Sequence, residues 1–299
     1  MTEIISEMRY SKERAQVLGK SMAYVDTDPG QKTGPDTFVF FHGNITSSYM
    51  WRNIMPHVKD KARCIAIDSI GQGDSEKLGN TDAGSYRLEE HQRYVNVLLA
   101  EIGLEGPIIL MMHDWGVQLG TTWARETSAN IKGIAYTQGV MGNFGWDYWP
   151  PHVSDLMRRF KSDEGEELVL QQNFFVEKIL PAMVIRDLPE EVLEEYRRPY
   201  RQAGEDRRPT LTWPREIPVE GEPADVLEII ETNNAWLMQN PVAKLLIMCE
   251  PATVLKGAIL ENVRRFPNQT EAMVKGLHYV HEDSPHEIGQ ALANWYSKL

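Results

Sequence analysis

The stretch Pro107-Ile108-Ile109-Leu110-Met111-Met112-His113-Asp114-Trp115-Gly116-Val117-Gln118-Leu119-Gly120-Thr121-Thr122-Trp123-Ala124 decides how the rest of the 299-residue chain is read. Its first half is an apolar run, the pattern of a strand buried on both faces of a parallel sheet. Its second half reads as a helix, and a polar tripeptide with one small residue joins the two. Strand, tight turn and helix, with one reactive side chain at the tip, make a nucleophile elbow. The tip residue is Asp114 rather than a serine. A carboxylate there can attack an electrophilic carbon, and the free N–H groups of the helix N-terminus favour its ionised form. Asp also caps helices, so a purely capping role is the competing reading. Met112 counts against the elbow, because a tight turn prefers a small residue at that place.

Working outward, the same alternation repeats. Residues 15–26 contain Met22-Ala23-Tyr24-Val25 and read as a hairpin arm, with Asp28-Pro29-Gly30 as a turn signal. Thr37-Phe38-Val39-Phe40-Phe41 and Arg63-Cys64-Ile65-Ala66-Ile67 are short β-rich runs. Helix-like segments follow them, at Tyr49–Met55 and at Leu88–Ile102, where Val95, Leu98, Leu99 and Ile102 fall at helical spacing. Lys132–Thr137 is the next strand. Strands alternating with helices imply a parallel sheet with right-handed crossovers, whose functional residues gather at the carboxyl ends of the strands. Asn44, Asp68, Asp114 and Gln138 all fall at such ends.

The character changes after Gly139. Trp146, Tyr148 and Trp149 crowd around Pro150-Pro151, and residues 153–200 are charged and helical without a buried-strand pattern. Residues 140–213 are therefore expected to form a helical cap inserted into an α/β core made of 1–139 and 214–299. The core resumes with a helix near Asp225–Gln239, strands at Lys244–Cys249 and Glu271–Val274, and a last helix over Pro285–Lys298.

Composition narrows the function. A formal charge of −12 disfavours nucleic acid and anionic lipid as partners. No run approaches the roughly 18 apolar residues of a membrane span, and the first residues lack the basic and apolar regions of a secretion signal. Cys64 and Cys249 both lie in apolar strands, which predicts two buried free thiols rather than a disulfide framework. A reducing, cytoplasmic setting fits these features.

Other residues carry donors and a base. In hydrolases with this elbow the chain order is nucleophile, acid, histidine. His278, after Lys275-Gly276-Leu277, can activate a water; a hydrogen-bonded structural histidine is the alternative. His281 and His286 read as the start of the next helix, facing solvent. Asn44 offers a side-chain amide and a backbone N–H to a developing anion, or is simply a turn residue. Trp115 offers an indole N–H, or packs in the core. Two such donors without a lysine suit a monovalent, weakly hydrated leaving anion better than a phosphate.

Taken together, several stretches resemble the haloalkane dehalogenases and the related coelenterazine luciferases of the Renilla type. They are His42–Arg52, Asp68–Gly73, His113-Asp114-Trp115-Gly116, Gly165–Leu170, Asn173–Glu177, Arg208–Arg215 and Gly276–Pro285. The likeness runs from about residue 15 to the end. It implies an α/β-hydrolase fold, with a mostly parallel central sheet flanked by helices and an inserted helical cap. It also implies a two-step hydrolysis of a small halogenated aliphatic substrate. Asp114 displaces halide to form an alkyl ester, Asn44 and Trp115 hold the departing ion, and His278 deprotonates the water that cleaves the ester. No metal or organic cofactor is implied, and a monomer or weak homo-oligomer is expected. The luciferase alternative has a bulky imidazopyrazinone react with O₂ in the same pocket. A third possibility is a relative that only binds a small apolar ligand. Phe175 and Trp213 match pocket-lining stretches of the family, and Phe144 and Trp146, just before the cap, are further candidates for substrate contact.

One position departs from the family pattern. Members with this motif set carry a glutamate after the strand that here ends at Thr137, and this chain has Gln138. Glutamine can still accept the N–H of His278, but it cannot stabilise an imidazolium. Either the triad is incomplete, so that the ester forms faster than it is hydrolysed, or Glu250, after the following strand, supplies the acid.

Overall fold

The computed structural model describes residues 3–127 and 129–299. Strands β1 (Lys12–Val17), β2 (Lys20–Asp26), β3 (Thr37–Phe41), β4 (Arg63–Ile67), β5 (Ile108–His113), β6 (Ile131–Thr137), β7 (Ala243–Glu250) and β8 (Gln269–Lys275) form one sheet. Their spatial order is β1-β2-β4-β3-β5-β6-β7-β8. The pair β1–β2 is an antiparallel hairpin, and β2 also runs antiparallel to β4; from β4 to β8 all neighbours are parallel. Leu18 and Gly19 both take positive φ at the hairpin tip, the handedness that matches strand twist. This is the parallel sheet expected from the alternation of buried runs and helices, in the α/β-hydrolase arrangement that the family resemblance implied.

The inner strands are buried along their whole length, so each face needs its own helical cover. Val39 and Phe41 point to one side and Phe38 and Phe40 to the other, the two-residue period of a strand. The first side is covered by α1 (Leu88–Ile102), α2 (Gly116–Glu126) and α7 (Ala224–Gln239). The second is covered by 3₁₀ turns at Ser48–Trp51 and Met55–His57 and by α10 (Pro285–Tyr296). Edge strand β8 is largely exposed and carries Gln269, Thr270, Glu271 and Lys275, polar residues that discourage strand addition.

Between β6 and α7 the chain leaves the sheet. It forms α3 (Pro151–Lys161), two π-helical turns at Glu166–Gln171 and Phe175–Ile179, and then α4 (Leu180–Ala182), α5 (Glu190–Arg197) and α6 (Arg208–Glu216). Phe160, Leu168, Val176, Tyr196, Tyr200 and Leu211 of this segment pack together and onto Ile45, Tyr49 and Tyr279. The segment thus sits over the carboxyl ends of the strands. Helix α6 runs on to Glu216, past the boundary at 213 expected from sequence. Glu166 accepts from both Arg208 (2.7 Å) and Arg215 (2.8 Å) and so clasps the start and end of α6. Two short helices, α8 (Gly257–Val263) and α9 (Val280–Asp283), follow β7 and β8. Among the described residues no helix is long and apolar enough to cross a membrane. Cys64 and Cys249 are buried free thiols.

Candidate active site

Asp114 follows β5 directly and takes φ +54°, a left-handed conformation that costs a non-glycine residue about 1 kcal/mol. Close packing around it enforces the turn. A Cβ at Gly43 would overlap the Asp114 carboxylate, and one at Gly116 would overlap the Phe41 carbonyl. Met112, which argued against the elbow, is accommodated from the helix side: a Cβ at Gly120 would collide with its sulfur. The space that a small residue would have left in the strand is left in the helix instead.

The carboxylate is 5% exposed and accepts the backbone N–H of Asn44 at 2.8 Å on Oδ2, with a further backbone bond from Trp115. Burial raises its pKa, and His113 and these two N–H groups offset only part of that rise. His278 lies after β8, with Nε2 3.7 Å from Asp114 Oδ1, too long for a hydrogen bond. Burial lowers the pKa of His278 to about 4, which leaves the imidazole neutral, with a lone pair for a proton. Its Nδ1 has no hydrogen-bond partner.

Neither candidate for the missing acid reaches that nitrogen. Gln138, 1% exposed with φ +47°, turns its Oε1 to Thr253 Oγ1 (3.3 Å) and to the Val254 N–H (3.2 Å). It orders the loop after β7 and does not orient His278, as the sequence had suggested. The Glu250 side chain is exposed at the end of β7. A residue next to the nucleophile does meet His278: the His113 ring nitrogen Nε2 donates to the His278 backbone carbonyl at 2.8 Å.

Asp114, Asn44, Trp115 and His278 line one cavity of about 350 Å³. Its buried floor adds Phe144, Phe160, Phe175 and Tyr279. Its partly exposed rim is built from Trp149, Val153, Thr253, Val254 and Lys256. Asn44 Nδ2 donates one hydrogen to the Thr210 carbonyl at 3.2 Å, which fixes the amide and leaves its second hydrogen free. Phe144 and Phe175 thus stand in the cavity wall. Trp213 does not: it is 1% exposed and packs edge-on against Trp115 and His91, behind the site, while its neighbour Pro214 lines the wall. Trp146 is also absent from the wall and lies under the Arg158 guanidinium.

Phe160 and Met157 escaped sequence reasoning because helical spacing makes them look like cap core, and Tyr279 because it sits in the short loop between β8 and α9. Trp149 could have been found from the cluster of aromatics before Pro150. His281 is another correction: it is 1% exposed rather than solvated, and its Nε2 lies 3.0 Å from the Tyr196 hydroxyl. His286 is half-buried and contacts His57 and the Glu3 carbonyl. Asp68, at the end of β4, faces Lys12 (2.6 Å) and the Ser48 N–H (2.7 Å) and takes no part in the cavity.

Comparison with known proteins places this geometry. Residues 36–285 match the alpha/beta hydrolase fold family. A haloalkane dehalogenase of Sphingobium indicum is 44% identical over 96% of each chain. The chain belongs to the haloalkane dehalogenase family. A dehalogenase of Mycolicibacterium smegmatis is 42% identical over 95% of this chain and 90% of its own. A coelenterazine h 2-monooxygenase of Renilla reniformis is 39% identical over 96% and 91%. The crystal structure of the haloalkane dehalogenase DbeA from Bradyrhizobium elkani superposes with a TM-score of 0.88 at 34% identity, covering 96% of this chain and 98% of that one. A putative ancestral haloalkane dehalogenase gives the same TM-score at 36% identity and the same coverage. As a dehalogenase-family hydrolase, the chain carries its elbow carboxylate at the floor of an apolar cavity under the cap.

Proposed function

We propose that this protein hydrolyses carbon–halogen bonds of small aliphatic substrates through an ester on Asp114. The observation that carries the reading is a carboxylate on a strand–helix elbow at the floor of an apolar cavity, flanked by Asn44, Trp115 and a neutral histidine. An Asp114 oxygen attacks the carbon; the C–O bond forms as the carbon–halogen bond breaks, and the halide leaves with the electron pair. The free Asn44 amide hydrogen and the Trp115 indole N–H donate to that ion. His278 Nε2 then takes a proton from water, and the hydroxide attacks the carboxyl carbon of the ester. The backbone N–H groups of Asn44 and Trp115, which already hold Asp114, stabilise the resulting oxyanion. Collapse releases the alcohol and restores Asp114.

Displacement needs no imidazolium, whereas ester cleavage creates one beside an unpartnered Nδ1. The second step is therefore the slow one. Mass spectrometry after mixing with 1-bromohexane tests this: an adduct on Asp114 is expected, absent in Asp114→Ala. Rapid steady bromide release without any adduct would overturn the slow-cleavage reading. Failure to release bromide or form an adduct with any of a panel of bromoalkanes would favour a ligand-binding relative.

A second reading rests on the likeness to the Renilla reniformis monooxygenase and on the aromatic cavity wall. In it a coelenterazine-type substrate reacts with O₂ and loses CO₂ without an added cofactor. Light on adding coelenterazine, lost in Asp114→Ala, would establish it.

A further inference from the structure

The cavity rim carries one cation that the proposed reaction does not use. Lys256 is half-buried and lines the cavity beside Thr253 and Val254. Among the described residues its ammonium makes no ion pair within 4 Å; its nearest recorded partner is the face of the Tyr148 ring, 5.2 Å from Nζ to centroid. Other buried or half-buried cations without an ion pair, namely Lys77, Lys161, Arg207 and Lys244, donate to backbone carbonyls, whereas the Lys256 ammonium makes no such bond among the described residues.

The backbone under this lysine is fixed from both sides of the cavity mouth. The Tyr148 hydroxyl donates its one proton to the Val254 carbonyl (2.6 Å), lies 3.0 Å from the Lys256 carbonyl, and accepts the Lys256 N–H (3.1 Å). On the inner side, Gln138 Oε1 holds Thr253 and the Val254 N–H. The loop is thus clamped between the base of the cap and the end of β6. A cation on a fixed backbone loses less entropy when it binds than one on a mobile loop. Most of the other residues lining the cavity that holds both Lys256 and Asp114 are apolar, Val140, Phe144 and Ile217 among them.

We infer that the cavity takes substrates with two unlike ends: a halogen-bearing carbon at Asp114 and a carboxylate at Lys256. The substrate class is the ω-haloalkanoates. This rests on the dehalogenase reading of Asp114 and extends it to the far end of the substrate. Chemistry at the floor is unchanged. An Asp114 oxygen bonds to the ω-carbon as halide departs with its electron pair; water then cleaves the ester, giving an ω-hydroxyalkanoate, and its proton passes through His278 to solvent. The apolar wall between the ends disfavours substrates too short to span it, so one chain length should stand out.

The test pairs ω-bromoalkanoates of three to ten carbons with 1-bromoalkanes of equal length, using the wild-type chain and Lys256→Gln and Lys256→Glu. Expected is a chain length at which the acid has a kcat/KM about five- to tenfold above the matched bromoalkane, the scale of one half-buried ion pair. In Lys256→Gln that ratio falls to about one or below, and in Lys256→Glu the preference passes to an ω-bromoalkyl trimethylammonium ion. A parallel calorimetric titration with octanoate and 1-octanol needs no reaction at Asp114. Octanoate should bind wild type about fivefold more tightly relative to octanol than it binds Lys256→Gln. An octanoate-to-octanol ratio unchanged by either substitution overturns the anionic subsite, whatever Asp114 does. Absence of turnover with every bromide, while the octanoate ratio still responds, overturns the dehalogenase reading and leaves the subsite standing.

Discussion

The Val254 N–H donates to Gln138 Oε1 at 3.2 Å, so this side chain holds the cavity rim, while His278 Nδ1 has no hydrogen-bond partner among the described residues. Glutamine here is an anchor for a loop.

A carboxylate at the same place could hold the loop or face the base, and only the second choice stabilises an imidazolium. Gln138→Glu is expected to shorten the lifetime of the Asp114 ester at least about tenfold, equivalent to ~1.4 kcal/mol off the barrier. Quenched-flow mass spectrometry reads the decay directly. An unchanged lifetime would make Glu250 the next residue to replace.

Ester cleavage should follow the neutral form of His278. Burial sets its pKa at about 4, so the cleavage rate should rise as pH increases through 4 and stay level from about 5 to 8. A midpoint near 6.5 would mean a ring solvated like that of a free histidine.

Stability should show the same buried histidines. Burial brings His42 and His278 to about 4 and His91 and His113 to about 3, below the ordinary 6.5. Between those values and 6.5 the unfolded chain binds more protons than the folded one, so stability rises with pH across that window. Acidifying from pH 6.5 towards 4 should therefore lower the urea midpoint progressively, with the full loss reached only below about pH 3. His91→Phe should flatten the slope by about one proton.

Gly43→Ala probes the elbow directly. Its Cβ would overlap both Asp114 Oδ2 and Asp114 Cβ, so the elbow itself has to shift. Displacing a nucleophile by about 1 Å costs on the order of a hundredfold in rate. Adduct formation should slow by at least that much, and the melting temperature should fall with it.

Arg52 and Glu282 form a buried two-point ion pair at 2.7 and 2.8 Å, side-chain exposures 1% and 0%. Burial pushes the glutamate up, but Arg52 pulls it down to about 2. Arg52→Met leaves Glu282 with the half-buried Arg186 at 2.7 Å and the Tyr196 hydroxyl, so the loss in urea unfolding should be about 2–3 kcal/mol, below the cost of a fully stranded charge.

The core architecture was legible because it is written in local pattern. Runs such as Thr37–Phe41 and Ile108–Met112 are too uniformly apolar for anything but a doubly covered strand. Asp114, Asn44, Trp115 and His278 were legible because each sits beside a strand end or within a dense motif. The direction in which a side chain turns was not legible. Trp213 and Pro214 are adjacent, and helix α6 alone decides that the proline faces the cavity. Gln138 could orient a histidine by chemistry, but its positive φ aims it at Val254. Lys256 gave no signal, since nothing local distinguishes a lysine at a cavity mouth from one on a surface.

The bond from His113 to the His278 carbonyl has a mechanical consequence. His113 is the last residue of β5 and the immediate neighbour of Asp114. The strand that presents the carboxylate therefore also grips the loop that presents the imidazole. Two groups 164 positions apart in the chain move as one rigid piece, fastened to the stiffest part of the sheet. The cap holds the site at other points, through the Thr210 carbonyl on Asn44 and the Met183 carbonyl on the Tyr279 N–H. The spacing of carboxylate and imidazole is thus a property of the sheet, whereas the pose of the Asn44 amide is set by the cap.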